Sequence, residues 1–143
     1  MWREVITGLF EGVTFQRPAN ASQIAGVEAT FNVKLPDEIR SLLMESNGVA
    51  AHYGLSLVWS TDEIMEQNLL FRRSSDFANL YMPFDCLLFI GAAGNGHQFA
   101  YRILGGQIRD TSEIYEWDHE SDNREWFARD LKDYVERSVP RDE

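Results

Sequence analysis

The stretch from Leu87 to Ile103 constrains the fold more than any other part of the chain, because a glycine cluster there joins two segments that both pattern as strands. Leu87-Leu88-Phe89-Ile90 is a continuous apolar run. After Gly91-Ala92-Ala93-Gly94-Asn95-Gly96, the residues His97, Phe99, Tyr101 and Ile103 alternate with Gln98, Ala100 and Arg102. That period of two belongs to a half-buried strand and not to a helix. A phosphate-binding loop would instead present backbone N–H groups at the start of a helix. The glycine order is also G-x-x-G-x-G, whereas the dinucleotide fingerprint runs G-x-G-x-x-G. The cluster is therefore expected to be a turn between antiparallel strands.

The segments on either side set the fold class. Trp2 to Phe10 has helical spacing of Trp2, Ile6, Leu9 and Phe10, and a helix from about Ser22 to Phe31 carries Ile24, Val27 and Phe31, with Ser22 as its candidate cap. Leu35-Pro36-Asp37-Glu38 opens the next helix, with proline in the first turn and two acids at the positive end of the dipole. Ile39, Leu42 and Leu43 form its apolar face, and Asn47-Gly48 closes it. Leu55 to Trp59 is a strand candidate. Ser60 and Glu63 stand in capping-box spacing before a helix bearing Ile64, Met65 and Leu69. Arg73 to Tyr81 is polar and is expected to be loop, with Arg72-Arg73 as a solvated helix end and Met82-Pro83 as a further break.

Strands then dominate. Leu87 to Ile90, His97 to Ile103, Gln107 to Arg109 and Glu113 to Trp117 are separated by connections too short for parallel crossovers. An acidic bend, Asp118 to Asp122, precedes a helix expected from about Asn123 to Arg137, with Phe127, Leu131, Tyr134 and Val135 on one face. The expected architecture is α+β: a mostly antiparallel meander packed on one face by the N-terminal helices and the C-terminal helix, the other face partly open. With 143 residues, 44% of them hydrophobic, one domain over 1–143 is expected, its core at about 22–137.

Charge narrows the partners. Asp and Glu number 23 against 13 Lys and Arg, a net charge of -10. A surface of that sign repels nucleic acid backbone and anionic lipid, so neither is an expected partner, and a basic protein suits it better. Cys86 is the single cysteine. It permits no internal disulfide, and beside the apolar run it is expected to be a buried, inert thiol in a reducing compartment. Met1 to Ile6 lacks a basic segment followed by an apolar one, and no apolar run approaches spanning length, so a cytoplasmic location is expected.

Several motifs share an order along the chain: Ile24-x-x-Val27-Glu28 ahead of Val33-Lys34-Leu35-Pro36, then Leu42-Leu43 and Asn47-Gly48. Leu87-Leu88-Phe89-Ile90-Gly91 follows, then Gly94-Asn95-Gly96 with Phe99-Ala100-Tyr101, and Ile114-Tyr115-x-Trp117-Asp118-His119-Glu120. In this the chain resembles the SUKH superfamily, the Smi/Knr-like domain, over about Ser22 to Val135. Gly94-Asn95-Gly96 stands where the resemblance leads one to expect Gly-Asp-Gly, which removes a carboxylate. The resemblance implies an α+β protein that acts by binding and carries no catalytic activity. Its bacterial members are immunity proteins that neutralise toxins, often nucleases, and others are signalling or scaffold modules, as in cell-wall regulation.

The densest chemistry lies in Glu113 to Ser121 and Asp122, which hold five acids and no Lys or Arg. The candidate partner-binding residues are Tyr115, Glu116, Trp117, Asp118, His119, Glu120 and Asp122, with Asn95 in the glycine turn. Aromatic side chains are frequent interface anchors, and a surrounding carboxylate field steers a basic partner. Trp117 reads equally as core beneath the last helix. Successive residues of an extended strand point to opposite faces, so Asp118-His119-Glu120 does not converge readily on a metal ion. No metal or cofactor is expected, and His52 and His97 read as polar surface histidines. There is no G-x-S-x-G, H-E-x-x-H or G-K-[ST] motif. The leading reading is a cytosolic immunity protein for a basic toxin. The alternatives are a signalling or scaffold module and, behind both, a small-ligand binder or enzyme on the open sheet face.

Overall fold

Local chemistry fixes the helix starts. The structure is a computed structural model and describes residues 1–51, 56–93, 96–108 and 113–139. Helix α1 spans Trp2–Leu9 and α2 spans Ala21–Phe31. The cap of α2 is Asn20 and not Ser22: its side chain accepts from Gln23 N–H, while Gln23 reaches back to the Asn20 N–H. Helix α3, Asp37–Glu45, starts behind Pro36 with Asp37 and Glu38 in its first turn. Helix α4, Thr61–Arg73, has the capping box read from Ser60 and Glu63. Asn47 is more than a helix end: its amide accepts from Thr61 N–H at 2.8 Å and donates to Thr61 Oγ1 at 3.2 Å, tying α3 to α4.

Seven strands form one antiparallel sheet in chain order: β1 Thr14–Phe15, β2 Val49–Ala50, β3 Ser56–Val58, β4 Leu87–Ala92, β5 His97–Arg102, β6 Ile114–Asp118 and β7 Arg124–Ala128. The expected α+β meander is therefore present, and the glycine cluster joins β4 to β5 as a turn in which Ala93 N–H donates to the His97 carbonyl. Gly91 has a packing role as well. A Cβ there would collide with the Leu57 carbonyl and lie 2.8 Å from the Tyr134 hydroxyl, so glycine lets β4 approach β3 and the last helix.

Several local expectations differ. Arg124–Ala128 is strand β7, and the C-terminal helix α6 is only Leu131–Arg137, because a bulge opposite Ile114 and Tyr115 makes the apolar spacing mimic a helix. Ser75–Leu80, expected as loop, is helix α5, capped by Ser74 and burying none of its own residues. Cys86 is exposed, since it sits in the turn before β4 and not within it. Arg72 is not a solvated end: its guanidinium donates to the Leu87 carbonyl and lies 4.7 Å from the Phe31 ring centroid. Of the expected strand Gln107 to Arg109, Gln107 bridges Leu104 across Gly105 and Gly106, and Arg109 lies outside the described residues.

Directly opposed residues of an antiparallel pair share a sheet face, so the register assigns the packing. Leu88, Tyr101 and Ile114 are in register on one face, and Phe99 shares it. There Phe99 meets Phe127 and Tyr134, and Glu38 of α3 accepts from the Tyr101 hydroxyl at 2.6 Å and from Leu131 N–H at 3.0 Å. Burial pushes the Glu38 carboxyl above its ordinary range, with those two hydrogen bonds opposing it. Phe89, Ala100 and Tyr115 are in register on the other face, which Trp117 shares. Phe71 of α4 and Phe77 of α5 pack there through one connected set of rings that includes Phe84, Phe89 and Trp117.

β3 meets β4 in register only at Ser56 and Ala92. Trp59 N–H continues the pairing to the Ile90 carbonyl at 2.7 Å, and beyond it α4 takes the place of a strand. The buried Asn68 amide accepts from Phe89 N–H at 2.8 Å and donates to its carbonyl at 2.9 Å, satisfying groups that a neighbouring strand would otherwise pair.

Candidate functional site

The acidic bend is the tip of the β6–β7 hairpin, and its backbone explains its chemistry. Asp118 N–H donates to the Asn123 carbonyl at 3.0 Å, and Asp122 N–H donates to the Asp118 carbonyl at 2.8 Å. Asp122 has φ 59°, the left-handed conformation. This is a three-residue loop closed by a bulge whose first residue is left-handed, a position that favours glycine. Its side chain is what holds Asp122 there. One carboxylate oxygen accepts from Trp117 Nε1 at 2.8 Å and from Arg124 Nη2 at 3.1 Å, and the other accepts from Met82 N–H at 2.9 Å. Partial burial pushes this carboxyl up, but the hydrogen bonds from Met82, Trp117 and Arg124 outweigh it and hold the group below the usual carboxylate range.

Arg124 extends the clasp. It donates to the carbonyls of Pro83 and Met82 and lies 4.9 Å from the Phe84 ring centroid. Trp117, 3% exposed, is core: Tyr81 stands edge-on at 5.0 Å, and Phe84 and Phe89 lie at 5.4 and 5.7 Å. The Tyr81 hydroxyl donates to the His119 carbonyl at 2.7 Å. A cleft of about 240 Å³ opens beside this clasp, walled by Phe77, Tyr81, Met82 and Phe84. Trp117 and Asp122 are thus committed to internal contacts, with Tyr115 between the two regimes. Its half-buried hydroxyl donates to Glu113 at 2.8 Å and accepts from Arg102 at 3.2 Å.

The opposite side of the same hairpin gathers carboxylates. Glu116 pairs in register with Phe99 of β5 and Glu125 of β7, and Asp118 pairs with His97. His97 is therefore not a plain surface histidine: Nδ1 lies 3.1 Å from Glu116 Oε2 and Nε2 lies 3.9 Å from Asp118 Oδ2. Each of these three side chains retains about a third of its exposure, and Glu125 is exposed. Glu116 and Glu125 face one another directly, an arrangement of like charges that disfavours the pair. Asp118 also accepts from Glu120 N–H at 2.9 Å, which shapes the loop and leaves the Glu120 side chain exposed beside exposed His119.

The two predicted regions adjoin. Gly96 has φ 92°, and a Cβ there would collide with the His119 ring, so the glycine turn sits against the bend. Asn95 and His52 lie outside the described residues. Glu125 belongs to this surface and Trp126, 47% exposed, to the opposite face of the same strand; the spacing of Phe127, Leu131 and Tyr134 places both in the expected C-terminal helix. Among the described residues no group of three or more His, Cys, Asp and Glu side chains is arranged to hold a metal ion, and no helix is long and apolar enough to cross a membrane.

A hairpin with this division of labour can present charge without spending its core on it. The packed side fixes the backbone, and the carboxylates gather on the other side around His97. The family model SUKH_6, described as SMI1-KNR4 cell-wall, matches residues 21–135. No curated protein matches the chain.

Proposed function

This chain belongs to the SUKH family, and from that premise we propose that it is a non-catalytic cytosolic binding domain, an immunity protein whose acidic hairpin covers a basic toxin domain. The observation that carries the reading is the convergence of Glu116, Asp118 and Glu125 on one side of the hairpin, with His97 the basic group set among them. The net charge of -10 supports it, because a field of that sign accelerates encounter with a cationic surface. Trp117 and Asp122 serve the site by holding the hairpin. Glu116, Asp118, His119 and Glu120 carry the contact, with Tyr115 at its margin, and Asn95, outside the described residues, is retained as a further candidate contact.

The test is co-expression with the toxin encoded beside this chain. Reversing charge at Asp118 and Glu120 together is expected to abolish protection while thermal stability stays within a few degrees of the parent. Undiminished protection would refute the site. The description of the matched family as cell-wall favours a second reading, a signalling or scaffold module for an endogenous protein. In that case the same double variant loses an endogenous partner and no adjacent toxin exists to be neutralised.

A further inference from the structure

We propose that β7 is a docking edge to which a partner protein adds an extended strand that alternates basic with apolar residues. This deepens the protein-binding reading and rests on it. β7 is the terminal strand of the sheet, and among the described residues no strand pairs with its outer edge. The bond from Asp118 N–H to the Asn123 carbonyl sets the ladder phase. Residues 123 and 125 therefore turn their main-chain groups towards β6, and Arg124 and Trp126 turn theirs outward. The other edge, β1, is two residues long and offers no comparable template.

The side chains flanking this edge say what should lie on it. A strand laid beside β7 would place alternate residues on alternate faces. On one face it would meet Glu125, with Glu116 across the hairpin and Asp118 next along β6. A lysine or arginine there would relieve the opposed carboxylates. On the other face it would meet Trp126, 47% exposed with Tyr115 in register behind it. An aliphatic or aromatic residue would cover that ring, whose centroid already lies 5.1 Å from the Arg137 guanidinium.

Edges are often guarded by lysine, proline or a bulge; β7 contains neither lysine nor proline, and its bulge lies past Trp126. Its one cation, Arg124, is drawn back onto Asp122 and Phe84. A second copy of this chain is the poorer occupant. It would bring another chain of net charge -10 against the same carboxylates.

The test uses the full chain and a nine-residue peptide alternating lysine with valine and tyrosine. Its control has the same sequence, N-methylated on alternate amides so that it keeps charge but loses one ladder edge. The expected result is that the unmethylated peptide slows amide exchange at Trp126 at least about tenfold and binds at least about tenfold more tightly than the control. Equal binding of the two peptides, or binding without protection of Trp126, would overturn the proposal in favour of charge attraction alone. Concentration-dependent protection of Trp126 without peptide would overturn it in favour of self-pairing. If neither peptide binds while the Asp118 and Glu120 reversal still abolishes protection from toxin, the docking edge fails and the immunity reading stands. If the peptide protects Trp126 but the reversal is silent, the edge stands and the immunity reading fails.

Discussion

Trp117 and Glu116 are neighbours on one strand, yet they belong to opposite regimes. On the Trp117 side, rings of Phe84, Phe89 and Tyr81 pack around the indole, and Asp122 and Arg124 answer each other's charge. On the Glu116 side, Glu125 stands directly across and Asp118 follows on the same face, with His97 set against Glu116 and Asp118. The difference teaches how a five-residue strand can serve fold and function at once. Alternation separates the two tasks by face, so one hairpin packs rings on one side and gathers carboxylates around His97 on the other.

The largest effect should come from the packed side. Trp117→Ala removes a buried indole from a ring cluster and is expected to cost about 3–5 kcal/mol. Chemical denaturation would read it as a lower midpoint. Trp126→Ala, on the same sheet face as Trp117 but at the edge strand and 47% exposed, should change stability by less than about 1 kcal/mol and should act instead on partner affinity. If the two tryptophans cost alike, Trp126 belongs to the packed ring face and not to an exposed edge.

Asp122→Asn is next in size. It withdraws the charge from Arg124 while keeping an acceptor for Trp117, and about 2 kcal/mol is expected to be lost. The pH dependence of stability sharpens this. A carboxyl held below its ordinary value of 3.8 contributes stability that is present above that value and is lost as pH falls through the lowered one. The Asn variant should lack that component of acid unfolding. Glu38 has the opposite sign: held above 4.5, it contributes stability that is full below 4.5 and is lost as pH rises through the raised value. Glu38→Gln should flatten that decline in thermal scans taken across mildly acidic pH.

The fold was legible where local chemistry and periodicity agreed. Helices α3 and α4 carried first-turn acids or a capping box in sequence, α2 carried its apolar stripe although its cap is Asn20 and not Ser22, and β4, β5 and β6 carried continuous or alternating apolar runs. β7 was not legible, because the bulge that skips Phe127 puts Phe127, Leu131, Tyr134 and Val135 on apparent helical spacing across a strand, a turn and a helix. α5 was hidden because a helix that buries none of its own residues leaves no stripe. At the site, the acidic bend and its two aromatics could be found from composition. Which carboxylate was free could not, since that depends on Met82 and Arg124 reaching Asp122. His97 was misread for the same reason: its carboxylate neighbours come from another strand.

The smallest expected stability change lies on the carboxylate side and has an unusual sign. Glu125→Gln relieves the repulsion of Glu116 and should stabilise the free chain by a few tenths of a kcal/mol, on the order of a single cross-strand pair. The same substitution should weaken partner binding. A loss of both stability and binding would mean that Glu125 is structural, and the contrast between the sides would need redrawing.

The most direct measurement is the association rate of the proposed basic protein partner with the parent and with Glu116→Lys/Glu125→Lys, taken across a salt series. A steered interface on this side predicts that the double variant stays folded, associates at least about tenfold more slowly at low salt, and shows a flatter salt dependence. An unchanged rate and salt slope in a folded variant would contradict the assignment of partner recognition to the carboxylate side of the hairpin.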